Sequence, residues 1–252
     1  MIDIIFLLPI FFGVSFLYSN AGFGGGSSYI AILALAGLSL FAIPSIALTL
    51  NIIVASIALF NYARAKHLSI RFALPFLSSI PFAFIAGQYT LNELELSLIF
   101  SITLFAVSAT LFVKASYKLE SRKYVTNNKI IMVVSILVGI LLGILAGLVG
   151  IGGGIWLSPL LIISGLAEPK RAAATSSLFI VSNSISGLSS HLLTKSIDLS
   201  LLFPLAVTVL IGGFLGSRMG ALRLDGRKIQ IVIAIIVATA ASNILIKYLG
   251  YL

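Results

Sequence analysis

The chain contains no cysteine and very few acidic residues. Without thiols it can form neither a disulfide nor a thiolate metal site, and its redox compartment leaves no mark. Asp and Glu number seven against sixteen Lys and Arg, and charged residues make up 9% of the 252. A soluble domain of this length carries about a quarter. The charges are also segregated: none falls between Asp3 and Arg64, between Lys129 and Glu168, or between Arg171 and Lys195. Each gap exceeds the roughly 20 apolar residues that cross a bilayer. These absences exclude a soluble enzyme and point to a multi-pass helical membrane protein. The net charge of +9 does not indicate nucleic acid, because the basic residues sit in short loops between apolar spans, where they set orientation. No extramembrane stretch is long enough for a second domain. Residues 1–20 lack a basic leader and a small-residue cleavage site, so no cleavable signal is expected.

Carboxylates are missing where proton-coupled carriers usually place them. Asp3, Glu93, Glu95, Glu120, Glu168, Asp198 and Asp225 all fall at span ends or in loops, as do His67 and His191. Neither a carboxylate proton relay nor a metal or other cofactor is expected. An intramembrane serine protease is not supported either. Ser189 and His191 share one helix, and Ser189 is not followed by glycine, so nucleophile and base cannot meet.

What the chain has is glycine in two clusters. One is "AGFGGGSS" at Ala21–Ser28, the other "GLVGIGGGIWLSP" at Gly147–Pro159. Gly22-Phe23-Gly24-Gly25-Gly26 matches Gly150-Ile151-Gly152-Gly153-Gly154, and Ala47-Leu48-Thr49 matches Ala173-Ala174-Thr175. Lys66, Pro75 and Gly87 match Lys195, Pro204 and Gly216 in the same order. The chain reads as two related halves, 1–120 and 129–252, joined through a polar, cytoplasmic linker at 121–128.

Charge then sets orientation. Arg64–Arg71, Lys114–Lys129 and Arg218–Lys228 are basic loops and should be cytoplasmic. Full spans at about 172–193 and 199–217 lie between the last two. The segment Ile130–Ala167 must therefore make no net crossing, so it forms a re-entrant hairpin with "GIGGG" at its tip. The same plan gives the first half a hairpin at about 4–40 and spans at about 44–63, 70–89 and 94–113. One hairpin plus three spans per half makes inverted repeats, a frequent transporter plan. Eight full spans with parallel repeats is the alternative, and it leaves Arg218–Lys228 outside.

Broken backbone at membrane depth is tolerated only inside protein or beside a water-filled cavity. After each tip a helix restarts, with unpaired N–H groups and the positive end of its dipole at the break. Two such ends near the midplane would hold an anion without a buried lysine. The candidate site is Gly24, Gly25, Gly26, Ser27 and Ser28 at one tip and Gly152, Gly153, Gly154, Ile155 and Trp156 at the other. Thr49, Asn51, Thr175 and Ser176 are expected to complete it, although Ser and Thr in helices also bond their own carbonyls at i−4. Gly139, Gly143, Gly147 and Gly212, Gly216, Gly220 recur every four residues and read as helix-packing positions. A dinucleotide or P-loop reading of "GFGGGS" fails, since no lysine follows and no strand precedes it.

These residues resemble the TauE/SafE family of sulfite and organosulfonate exporters and related anion permeases. The resemblance rests on "GFGGGSSYIAILALAGL" with "ALTLN" downstream, and on "GLVGIGGGIWLSPLLIISGLAEPKRAAATSSL". It runs over nearly the whole chain, and the second copy is the closer to the family pattern. It implies a transporter of small sulfur-containing or carboxylate anions in the cell membrane, the prokaryotic plasma membrane being the expected one. The expected partners are that anion and the lipid bilayer, with a homodimer left open and no nucleic acid.

Overall fold

A computed structural model describes residues 4–89, 92–116, 128–193 and 198–222, with short helical pieces at 237–238, 241–242 and 244–246. Positions 121–127 of the linker, the Arg223–Lys228 part of the last basic loop, Lys195 and Leu252 lie outside the described residues. Among the described residues every regular element is helical. In chain order they are α1 (Ile4–Asn20), α2 (Gly26–Leu35), α3 (Ile43–Arg64), α4 (Ile70–Ala73), a 3-10 turn at Leu74–Ser78, α5 (Ser79–Gly87), α6 (Glu93–Ser116), α7 (Asn128–Val149), α8 (Gly154–Ile163), α9 (Pro169–His191) and α10 (Leu199–Leu222). Four stretches among the described residues are long and apolar enough to cross a membrane: Ile43–Arg64, Ile70–Gly87, Lys129–Val149 and Leu199–Ala221.

The expected span at about 70–89 is not a uniform α-helix, because the 3-10 turn interrupts it. Pro75 and Pro81 explain this. Proline at 81 cannot donate to the Leu77 carbonyl and its ring crowds it, so the turn before it tightens.

Both helices that follow the glycine tips have 10 residues, about 15 Å of helix, half of a roughly 30 Å hydrocarbon core. Each starts from a left-handed glycine, Gly25 at φ 96° and Gly153 at φ 71°. A side chain there would strain the backbone, so only glycine turns the chain this tightly at low cost. Both helices also end alike. Leu38 N–H donates to Leu33 and Gly37 N–H to Ala34, and Leu166 and Gly165 repeat this onto Leu161 and Ile162, all at 3.0–3.1 Å. These paired bonds cap the last carbonyls, so each short helix is closed at one end and open at the tip.

Packing register fixes the direction of each helix. A Cβ added to Gly212 would meet Phe12 and Ser15, to Gly216 Phe16 and Ser19, to Gly220 Asn20. Numbers rise together, so α1 and α10 run parallel. Gly139, Gly143 and Gly147 meet Phe76, Ser79 and Ala83 in the same way, so α7 runs parallel to α5. Gly213 packs on Val54, and Asn61 Nδ2 donates to Ser217 Oγ at 2.7 Å, so α3 and α10 are parallel too. Leu48 meets Gly187, whereas Ala58 and Tyr62 cluster with Ala173 and Ala174, so α3 and α9 are antiparallel. Gly87 packs on Ser190 and Ser186 Oγ donates to the Ile80 carbonyl, so α5 and α9 are parallel; thus α1, α3 and α10 point one way and α5, α7 and α9 the other. Since α1 and α3 share a direction, the chain between them must reverse twice, and α2 is a returning arm. The stacked rings of Phe11 and Tyr29, centroids 5.0 Å apart, show the first reversal directly.

Every four-residue glycine step brings backbone against backbone, as small residues do between membrane helices. Both glycine rows lie within residues 129–222, one on α7 and one on α10. The core centres on Phe11, Tyr29, Phe100 and Phe179, all buried. Ile130, Val133, Leu137 and Leu141 along α7 are exposed, a face suited to lipid.

Candidate functional site

The fold brings the two tips together. A Cβ on Gly26 would sit 3.0 Å from the Ile151 carbonyl oxygen. Asn51, on α3 and fully buried, lies between them. Its Nδ2 donates to the Ile151 carbonyl at 3.0 Å. Cβ atoms added to Gly24 or Gly26 would overlap its side chain, and one on Gly152 would come within 3.1 Å of it. The glycines at these places are therefore required by close approach.

Helix α9 makes the reciprocal contact. Ser177 Oγ donates to the Gly22 carbonyl at 2.8 Å, and Gly22 packs against Ala173, with an added Cβ 2.6 Å from its carbonyl. The next face of α9 meets the second tip. Ile180 closes on Gly154, Phe179 on Gly153, and Ser184 Oγ would lie 2.9 Å from a Cβ on Gly152. So α3 and α9 each touch both tips.

The donors at the two tips differ. Neither helix has a side-chain cap. Tyr29 N–H already bonds Gly25, but among the described residues the N–H groups of Gly26, Ser27 and Ser28 have no recorded acceptor. At the second tip, Gly154 N–H turns back to Gly152 at 3.0 Å and Trp156 N–H to Gly153 at 3.3 Å. Ile155 N–H has no such bond. The side chains of Ile155 and Trp156 are buried apolar packing.

The hydroxyls sort unlike the expectation. Thr49 Oγ1 donates to Ser45 at 2.8 Å and Thr175 Oγ1 to Arg171 at 2.9 Å, each four residues back on its own helix. Helix geometry offers that carbonyl to any Ser or Thr, so neither proton is free here. Ser27 and Ser28 are engaged with the Tyr18 hydroxyl at 3.2 and 2.8 Å. The free buried hydroxyls near the tips are Ser176, Ser184 and Tyr29, and the Asn51 Oδ1 is unpartnered as well. Ser184 was not among the expected residues. Its signal is the spacing 176, 180, 184, one face of α9 turned to the second tip.

Among the described residues no charged side chain takes part. Lys170 Nζ donates to the Ala221 carbonyl at 3.0 Å, and the Arg171 guanidinium stacks 4.3 Å from the Phe72 ring centre. Among the described residues no group of three His, Cys, Asp or Glu gathers to hold a metal. The described polar groups at the tips are neutral, backbone N–H and serine hydroxyl groups, chemistry that suits an anion.

Paired broken helices packed tip to tip in an all-helical bundle define a membrane transporter class. The family model "Sulfite exporter TauE/SafE" matches residues 7–244, and the chain belongs to that family. It is thus a membrane transporter and not an enzyme. It is 24% identical over 236 residues to the probable membrane transporter protein y4hK of Sinorhizobium fredii (strain NBRC 101917 / NGR234), covering 93% of this chain and 95% of that one. No solved structure matches the chain.

Proposed function

We propose that the chain carries a small oxyanion across the cell membrane through a site between the two tips, as a multi-pass secondary carrier. Sulfite, an organosulfonate or a related sulfur-containing or carboxylate anion is the substrate class. The observation that carries this reading is the meeting of two helix N-termini around Asn51, with N–H donors at Gly26–Ser28 and Ile155 and hydroxyls at Ser176 and Ser184 left without acceptors. Burying such groups unpaired costs about 1–3 kcal/mol each, and an anion would recover that cost. The opposite directions of α1 and α7, and of α3 and α9, support inverted repeats. The helix ends then lie near the midplane, where alternating access needs the site.

Uptake of sulfite, sulfoacetate, thiosulfate and simple carboxylates into liposomes holding the purified protein tests the proposal. Saturable uptake identifies a carrier, and unsaturable flux identifies an anion channel on the same tips. Gly153→Pro, which blocks the close approach, should abolish uptake. Ser184→Ala should weaken it by roughly tenfold, the scale of a lost hydrogen bond to a charged group. Unchanged uptake in both variants places the pathway elsewhere.

A further inference from the structure

A second feature lies away from the tips, where α3 and α10 run side by side toward their C-termini. A cavity of about 370 Å3 opens between them, lined by Phe60, Asn61 and Arg64 on one side and Phe214, Arg218 and Ala221 on the other. The two walls repeat one pattern. "FNYAR" on α3 and "FLGSR" on α10 each place an arginine four residues after a phenylalanine. On each wall this sets the guanidinium one turn nearer the helix end than the phenyl ring of the same helix. Phe60 is 61% exposed and Phe214 43% exposed, and both arginines are exposed. The Asn61–Ser217 hydrogen bond of 2.7 Å ties the walls together. No carboxylate is among the described residues lining the cavity.

We infer that this groove binds the phosphate headgroup of an anionic phospholipid. A single arginine at a span end is explained by its stem lying on apolar surface with its head in water. Two arginines from separate helices converging on one cavity, with no carboxylate among its described lining residues, ask for an anion, and guanidinium forks match phosphate oxygens. The exposed rings decide which anion. A free ion gains nothing from Phe60 and Phe214, whereas a lipid lays its acyl chains there while its phosphate reaches Arg64 and Arg218. Basic pockets between helices on the cytoplasmic side suit such headgroups. The groove is separate from the tips, and its test does not depend on transport.

Spin-labelled phosphatidylglycerol and phosphatidylcholine, each at trace level in phosphatidylcholine vesicles holding the full-length protein, give the readout as the motionally restricted fraction. The protein should select phosphatidylglycerol. Arg64→Gln and Arg218→Gln should each cut that selectivity by roughly fivefold, and the double variant should lose it. Lys66→Gln and Arg71→Gln, which change charge outside the cavity, should keep it. Single variants are informative even where the double one fails to insert. Selectivity that survives Arg64→Gln and Arg218→Gln, or that falls equally in Arg71→Gln, overturns the inference. So does displacement of the labelled lipid by inorganic phosphate at millimolar level, which would make the groove a free-anion site.

Discussion

Asn51 gives its side-chain amide to the carbonyl of Ile151, 3.0 Å away and 100 residues further along the chain. That one bond joins α3 of the first half to the tip of the second. Asn51→Ala should leave a buried carbonyl unpaired and cost about 1–3 kcal/mol, read as a lower melting temperature in detergent. Asn51→Asp puts a carboxylate against that carbonyl and beside the proposed anion. Sulfite uptake should vanish in the second variant. Wild-type uptake with Asp at this position would mean that no anion passes between the tips.

The glycine rows make a different claim. A Cβ at Gly143 would come within 2.6 Å of the Ser79 carbonyl oxygen, and one at Gly216 would overlap that of Phe16. Backbone atoms cannot rotate away, so Gly143→Leu and Gly216→Leu should sharply reduce folded yield, beyond the usual 1–3 kcal/mol or so of overpacking. Gly13 supplies the control. A Cβ there meets nothing within 4 Å, so Gly13→Ala should be neutral or add about 0.5–1 kcal/mol of helix stability. Normal accumulation of Gly216→Leu with only lost sulfite affinity would reassign that glycine to the site.

Membrane sidedness can be tested because the chain has no native cysteine. Arg64 and Arg218 line one cavity, so their ends of α3 and α10 share a side. Lys66→Cys and Arg218→Cys should label together from the cytoplasm, with Asn92→Cys and Asp198→Cys labelling from outside. Labelling of positions 66 and 218 from opposite sides would restore parallel repeats.

His67, in the loop after α3, has its pKa held below the ordinary imidazole value, first by burial, then by Lys170, while Glu168 pulls it up. A folded pKa below the unfolded one means that the unfolded chain binds more protons. Stability should therefore fall as pH drops from about 6.5 toward the folded value. His67→Gln should flatten that limb of a melting-temperature profile, and Lys170→Gln should shift it to higher pH. An identical profile in His67→Gln would assign the acid sensitivity to other groups.

Much of this was legible in one dimension. Gaps between charges marked the spans at about 44–63, 70–89 and 199–217, whereas those expected at about 94–113 and 172–193 are not among the four described stretches long and apolar enough to cross a membrane; the two glycine clusters marked the breaks that α2 and α8 follow. The four-residue glycine steps announced close packing. Their partners were not legible, because sequence spacing says which face is small and nothing about which helix meets it. The 3-10 turn before Pro81 escaped notice because span-length reasoning averages over single residues. Thr49 and Thr175 looked alike as ligand or as self-bonded residues, and only three-dimensional placement separates the two. Ser184 was missed for another reason. In the register of Thr49 and Thr175 its counterpart in the first half is Ala58, so no paired hydroxyl marks the position.

The crossed anchoring has a consequence for the two halves as separate objects. Asn51 completes the tip that follows α7, and Ser177 completes the tip that follows α1. Each of these two carbonyls takes its side-chain donor from the opposite half, while Tyr18 braces the first turn from within through Ser27 and Ser28. A first half made alone would present Gly22 with its carbonyl unanswered, and a second half alone would do the same at Ile151. Pairing both carbonyls therefore needs the two halves together. Side chains 51 and 177 are free to differ, as they do, because each answers to a turn on the opposite half.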